Sequence, residues 1–326
     1  MKLMRYGGIL LAMACGLALA PLAHAERTAN PSAKDLVLKG DAKCTGCHDE
    51  SDEPTPTMLE LHPSVLAIGV SRHGVRGDSR TPTCTDCHGE SEKHVNYHGK
   101  DKPPSPDRTF RKGTATPVAA RVDACLKCHE QDRNRTHWTG SAHEANDLAC
   151  TSCHNIHTKN DKVLAKATQP EVCYSCHKTE RALSHKVSTH PLDSGKLACS
   201  SCHNPHGSAG PKLLKKNTVN ETCHLCHADK RGPFLFEHQP VTEDCLNCHT
   251  PHGSNISPLL KSRAPLLCDE CHDGPHASGS ITGPNMAGKQ VSASLTPNAN
   301  YTGRACMNCH VQIHGSNSPA GGYFQR

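Results

Sequence analysis

One short motif occurs ten times in this sequence: two cysteines three positions apart, with a histidine directly after the second. All of the 21 cysteines except Cys15 belong to these motifs. At a histidine content of 26 in 326 residues, ten such histidines have a chance probability on the order of 10⁻¹¹. In chain order the motifs are Cys44, Cys47 and His48; Cys84, Cys87 and His88; Cys125, Cys128 and His129; Cys150, Cys153 and His154; Cys173, Cys176 and His177; Cys199, Cys202 and His203; Cys223, Cys226 and His227; Cys245, Cys248 and His249; Cys268, Cys271 and His272; Cys306, Cys309 and His310.

This spacing indicates covalent attachment of haem. Two thiols three residues apart bond the two vinyl groups of one porphyrin, and the next histidine then reaches the iron as its proximal ligand. Disulfides, zinc knuckles and thioredoxin-like pairs also use paired cysteines, but none of them requires the following histidine. The sequence therefore predicts ten haem c groups, with the ten motif histidines as metal ligands.

Enough histidines remain to close the sixth position of every iron. Only Met58, Met286 and Met307 lie beyond the leader, so methionine ligation is nearly excluded, and bis-histidine ligation implies comparatively low potentials. A histidine one helical turn after a proximal histidine cannot reach the far face of the same porphyrin, so it must bind another haem. We predict these distal ligands: His73, His94, His143, His157, His190, His206, His238, His252, His276 and His314. His62, His98, His137, His185 and His224 are interpreted as surface or supporting residues.

The N-terminus predicts export. Residues 1–25 combine a short basic start, an apolar stretch and the exit Ala23-His24-Ala25, which is typical of a cleaved signal peptide. No later segment approaches the roughly 20 apolar residues of a spanning helix. We expect a periplasmic mature chain with an N-terminal half at 26–190 for haems one to five and a C-terminal half at 191–326 for haems six to ten.

The composition predicts a fold that depends on its haems. Aromatic residues are only 3% of the chain, which leaves little material for an apolar core. A two-haem unit recurs about every 45 to 50 residues in the middle, as in repeats that stack on their neighbours. The predicted class is a multihaem cytochrome c, mostly irregular, with short α-helices around an elongated row of ten haems and negligible β-structure. Long loops are expected at 102–117 and 279–303.

The charge of the chain says little about partners. The formal charge of +5 falls to +3 when Lys2 and Arg5 leave with the leader. Ten haems with their propionates would shift that value by about −10 when ferric. We therefore do not predict a nucleic-acid partner.

Four segments make the sequence resemble the MtrA/MtoA decahaem cytochromes, with the related PioA and DmsE types. These segments are 199–207, 230–233, 240–243 and 313–317. The resemblance implies a wire inside an outer-membrane β-barrel porin, which exchanges electrons with periplasmic or inner-membrane c-type cytochromes. On the outside, it implies an extracellular multihaem cytochrome or extracellular iron, through Fe(II) oxidation or Fe(III) reduction. The residues do not set the direction of flow.

Two other functions stay open at this point. A free periplasmic electron shuttle would share every motif with a conduit. A multihaem reductase would keep an open axial position on one haem, whereas the histidine count here suffices to close all ten. Whether the chain is an enzyme is thus undecided from its residues, although a redox carrier is favoured.

Overall fold

A computed structural model describes residues 42–45, 47–48, 65–74, 81–272, 306–319 and 324 of the protein. The predicted signal peptide, His62, His276 and the predicted loop at 279–303 lie outside these residues. The described α-helices are Ala42–Thr45, Cys84–His88, Glu92–Val95, Val118–His129, Ala142–Ala145, Gln169–Tyr174, Lys178–Ser184, Cys199–Cys202, Val219–Cys223, Gln239–Glu243 and Leu266–Asp269. The described 3₁₀ helices are Val65–Val70, Cys150–Ser152, Lys162–Leu164, Pro211–Leu213, Ala228–Lys230, Cys245–Asn247 and Cys306–Asn308.

The helices are short because local signals start and stop them around the motifs. Thr218 begins the helix Val219–Cys223 with a capping box, in which its hydroxyl accepts from the Glu221 amide and the Glu221 carboxylate accepts from the Thr218 amide. Pro170 lies in the first turn of the helix Gln169–Tyr174, where its missing N–H costs nothing. Helices lead into the third, fifth and seventh motifs, whereas the fourth, sixth and eighth motifs start a helical turn of their own.

Each motif folds as a single helical turn. In the fourth motif the amide of His154 donates to the carbonyl oxygen of Cys150 at 2.9 Å, and the first motif has the same bond from His48 to Cys44 at 3.0 Å. Residues three and four apart share one face of a helical turn. The turn therefore presents two thiols and one imidazole on the same side.

Backbone pairing between the described residues is limited to four isolated bridges. Two of them are long-range: Ser188 pairs with Ser254, and Phe236 pairs with Ser316. In each of these bridges, the first residue lies two positions before a predicted distal histidine. Its partner lies two positions after a different predicted distal histidine. These contacts repeat between successive units, and the expected lack of β-structure is confirmed for the described residues.

Apolar side chains contribute little to the interior. Val122, Trp138 and Ala149 form a small buried cluster, against which Val118 and Leu126 pack. Among the residues that the structure describes, no large side chain is less than 2% exposed. None of the described helices is both long and apolar enough to cross a membrane. Apolar side-chain packing therefore contributes only a small part of what holds the motifs in place, and most of the stabilising contact must come from groups other than these side chains.

The predicted loop at 102–117 contains neither helix nor strand. It is tied back to the second motif, since the Arg108 guanidinium donates to the carbonyl oxygens of Cys87 at 2.7 Å and Asp86 at 3.1 Å. The loop thus supports the second motif.

Candidate haem sites

The described proximal histidines face the predicted distal histidines in nine ring pairs. Each pair joins one motif histidine to one of the candidates proposed from the sequence, with ring centroids 5.9 to 6.4 Å apart. In motif order, the pairs are His48 with His94, His88 with His157, His129 with His73, His154 with His206, His177 with His143, His203 with His252, His227 with His190, His249 with His314, and His272 with His238. The tenth candidate, His276, lies outside the described residues.

This separation fits one metal ion between two imidazoles. A bond from a metal ion to an imidazole nitrogen is about 2 Å long, and the ring centre lies about 1 Å beyond the nitrogen, so opposed rings on one metal are about 6 Å apart. Rings in direct stacking contact would lie closer together than this. The residues present therefore suit bis-histidine haem, both in their type and in their spacing.

The pairs follow a regular rule. A histidine that trails an even-numbered motif faces the even motif two places earlier, as His206 faces His154 and His252 faces His203. A histidine that precedes an even-numbered motif faces the odd motif after it, as His190, ahead of the sixth motif, faces His227 of the seventh. Each unit thus supplies a ligand candidate to the unit on either side.

His73 and His94 do not face the motif that is nearest to them in the sequence. Both lie near the second motif in the chain, but His73 faces His129 of the third motif and His94 faces His48 of the first. The second motif instead faces His157, which trails the fourth motif. Proximity in sequence therefore does not decide the partner.

Hydrogen bonds orient many of these imidazoles by their Nδ1 atom. His143 donates to the carbonyl oxygen of Pro205 at 2.7 Å, and His190 donates to that of Pro251 at 2.9 Å. Both acceptors come directly before a trailing histidine. Since Nδ1 is engaged, Nε2 is left for a metal, which is how ligating histidines in proteins are commonly held.

Burial keeps several of the rings neutral. It lowers the pKa of His206 to about 4, with a smaller contribution from His154. Burial also lowers the pKa of His88 and of His252. A histidine must be unprotonated at the ligating nitrogen to bind a metal, so these rings are ready to ligate at neutral pH.

The attachment cysteines of motifs that follow each other in sequence lie near one another. The first cysteines of paired motifs share a hydrogen bond, as between Cys125 and Cys150 in motifs three and four. The second cysteines link these pairs: burial and then the nearby Cys176 raise the pKa of Cys153, which joins motif four to motif five. The same alternation continues as Cys173 with Cys199, Cys202 with Cys226, Cys223 with Cys245, Cys248 with Cys271, and Cys268 with Cys306.

Two glycines after trailing histidines allow neighbouring units to approach. Gly207 has φ +108°, and a Cβ there would collide with the carbonyl oxygen of His137. Gly253 has φ +145°, and a Cβ there would collide with the carbonyl oxygen of Leu183. Only glycine adopts such a positive φ without strain and also leaves room for the neighbouring carbonyl oxygen. The sequence pattern contained these glycines, but their role depends on a contact 70 residues away in each case.

The remaining histidines do not pair with a proximal ring among the described residues. His98, His137 and His185 are exposed, and His224, between two attachment cysteines, is partly buried. A further group of functional residues comprises the acceptors of the proximal Nδ1 atoms, which were not predicted from the sequence. Acceptors include the carboxylates of Asp132 and Asp161 and the carbonyl of Arg108. A carbonyl has no side-chain signal, so most of this group was not readable from the sequence.

Comparison with known proteins identifies the same type of motif. The model of NrfB-like cytochrome c-type proteins matches residues 84–169, and the doubled CXXCH motif matches residues 190–232 and 238–277. The chain is 43% identical over 294 residues to the multihaem cytochrome MtrA of Shewanella baltica, which covers 88% of this chain and 82% of that protein. It is also 27% identical over 175 residues to the cytochrome c-type protein NrfB of Haemophilus influenzae, with 48% of this chain and 76% of that protein covered.

The motifs, the paired imidazoles and these similarities define a multihaem c-type cytochrome, which carries covalently bound haem and transfers electrons. The chain belongs to the MtrA family of multihaem cytochromes. The fold class predicted from the sequence is thereby confirmed.

Proposed function

We propose that the chain binds ten haem c groups, each ligated by two histidines. The ring distances support nine of these ligand sets directly. For the tenth motif we assign His276 to His310, because His276 is the one predicted distal ligand that the other motifs leave over. When bound, each haem supplies an iron that alternates between the ferric and ferrous states.

We propose further that electrons pass along the chain in motif order. The protein contributes the row itself: from the second motif to the tenth, the attachment cysteines of successive motifs lie close enough to influence one another electrostatically. The shared ligand candidates brace the row, because each unit holds imidazoles for its neighbours on both sides. The alternation of first-cysteine pairs and second-cysteine pairs along successive motifs is the observation that carries the proposal.

The proposed setting is the outer membrane, reached from the periplasm. In this setting the chain lies inside a β-barrel porin and connects c-type cytochromes of the periplasm or inner membrane with extracellular iron or an extracellular multihaem cytochrome. The leader at 1–25 and the similarity to MtrA over 88% of the chain support it. The potentials of donor and acceptor set the direction of flow, because a row of haems conducts both ways.

The test is co-purification from native membranes followed by reconstitution. We expect the haem-staining chain to copurify with an outer-membrane barrel protein, and the pair in liposomes to oxidise an enclosed reduced dye when Fe(III) is added outside. Liposomes with the barrel alone are the control. A chain found only in the soluble periplasmic fraction, without a barrel, would instead indicate the free shuttle.

A further inference from the structure

Three equivalent units differ in what holds the proximal imidazole. In the sixth and eighth motifs, the Nδ1 atoms of His203 and His249 donate to backbone carbonyl oxygens, those of Lys212 at 2.9 Å and Pro258 at 3.0 Å. In the fourth motif, His154 donates instead to the carboxylate of Asp161 at 2.7 Å. The same position thus has a neutral acceptor twice and a charged acceptor once.

Little in the described surroundings of Asp161 offsets the negative charge of its carboxylate. Its side chain is 12% exposed, and within the part of the chain that the structure describes its only ion-pair partner is His154. Backbone amides of Asn155 and Val163 complete its shell, at 3.3 and 3.4 Å from the Oδ1 atom. The carboxylate is therefore fixed in position and shielded from water.

A second carboxylate provides an internal contrast. Asp132 accepts from the Nδ1 atom of His129 in the third motif at 2.9 Å, but it is 53% exposed and forms an ion pair with Arg135. Solvent and the guanidinium both offset its charge. We therefore expect a weaker influence on that imidazole.

We propose that Asp161 is a positioning residue that sets the fourth haem at a lower potential than the sixth and eighth. This inference rests on the proposed ligation by His154. A carboxylate on Nδ1 makes the imidazole a stronger donor to the metal and adds negative charge, and both effects favour the ferric state. The row would then contain an energetic step near its middle instead of a uniform series.

The experiment is a potentiometric titration of the holoprotein, followed by visible absorbance, with electron paramagnetic resonance to record the spin state. In Asp161→Asn, about one tenth of the haem absorbance should move from the low-potential end to higher potential. We expect at least a tenfold change in the ferric to ferrous ratio of that haem, which is about 59 mV for one electron. Asp161→Glu should keep the low potential.

Asp147→Asn is the matched control, because it removes one exposed carboxylate from the same unit at a position with φ 55° that asparagine tolerates. Its titration should superimpose on that of the wild type, and Asp132→Asn should shift less than Asp161→Asn. Titrations of Asp161→Asn and wild type that coincide, with all haems attached and low-spin, would overturn the proposal. A high-spin haem in the wild type would instead contradict the bis-histidine ligation of the proposed function, and the two failures are thereby distinct.

Discussion

The N-terminal segment (residues 81–117) and the interior repeats (residues 118–272) orient their predicted distal histidines in different ways. In the N-terminal segment, the distal candidate His94 donates to the carbonyl oxygen of Pro104, ten residues along the chain. In the interior repeats, His143 and His190 donate to carbonyls 62 and 61 residues away. One region thus folds back on itself, whereas the other is built by its neighbours.

This difference indicates where the fold is cooperative. A unit whose ligand candidates and hydrogen-bond acceptors come from adjacent units has little stability alone, as in other stacked repeats. The N-terminal segment closes its own loop, with the Ser91 amide donating to Asp107 and the Asp107 amide donating to Ser91. A change in an interior repeat should therefore spread to the repeats on both sides, whereas a change at His94 should spread only towards the first motif, which it faces at His48.

The largest effect is expected when haem attachment is blocked. With so few buried apolar side chains, the chain should lose cooperative thermal unfolding in both regions and become protease-sensitive throughout. Limited proteolysis and calorimetry of protein made without the attachment machinery would measure this. An apoprotein that melts cooperatively would show that the polypeptide contacts alone hold the repeats.

The next effect distinguishes the two regions directly. His206→Ala should convert one haem in ten to the high-spin state and also expose the neighbouring repeat, because His206 faces His154 from another unit. His94→Ala should convert one haem and loosen only the first motif, which it faces at His48, and should leave the interior repeats unchanged. Electron paramagnetic resonance would count the high-spin haem, and hydrogen exchange would locate the loosened segments. His185→Ala, at an exposed histidine, serves as the control and should change neither signal.

A smaller effect is expected at the close approach between repeats. Gly207→Ala forces an alanine into a left-handed conformation against the His137 carbonyl, which should cost about 1–3 kcal/mol. Thr158 occupies the matching position after His157, and its hydroxyl makes two long, exposed hydrogen bonds with Asn160 at 3.3 and 3.4 Å, so Thr158→Ala should cost only about 0.5 kcal/mol. Denaturant unfolding of the Gly207→Ala and Thr158→Ala holoproteins side by side would test this. Equal unfolding midpoints would show that position 207 does not require glycine.

The smallest effect is expected at Lys43, which precedes the N-terminal segment in the chain. Lys43 pairs with Glu90 at 2.5 Å, and both side chains are accessible to water. The hydrogen bond to Glu90 raises the pKa of Lys43, but water and salt screen such surface pairs. Lys43→Ala should leave the thermal midpoint within experimental error. A clear drop would mean that this ion pair helps to hold the first motif to the second.

The sequence predicted the composition of the haem sites but not their connections. Motif spacing identified the twenty cysteines and the proximal histidines, and a count of the remaining histidines selected the distal candidates. Which ring faces which could not be predicted, since the partners His154 and His206 come from units 52 residues apart and meet only when the units stack. The division at residue 190 stays a prediction, and contacts such as that of His190 with Pro251 cross it.

The account depends most on metal ions lying between the paired rings, in motif order. Crystals of the holoprotein measured at the iron absorption edge would test this directly. We predict ten anomalous peaks in one continuous row, with nine of them midway between the ring pairs described above and the tenth between His276 and His310. Peaks that are isolated from one another, or that have a single histidine and an open side, would contradict the account.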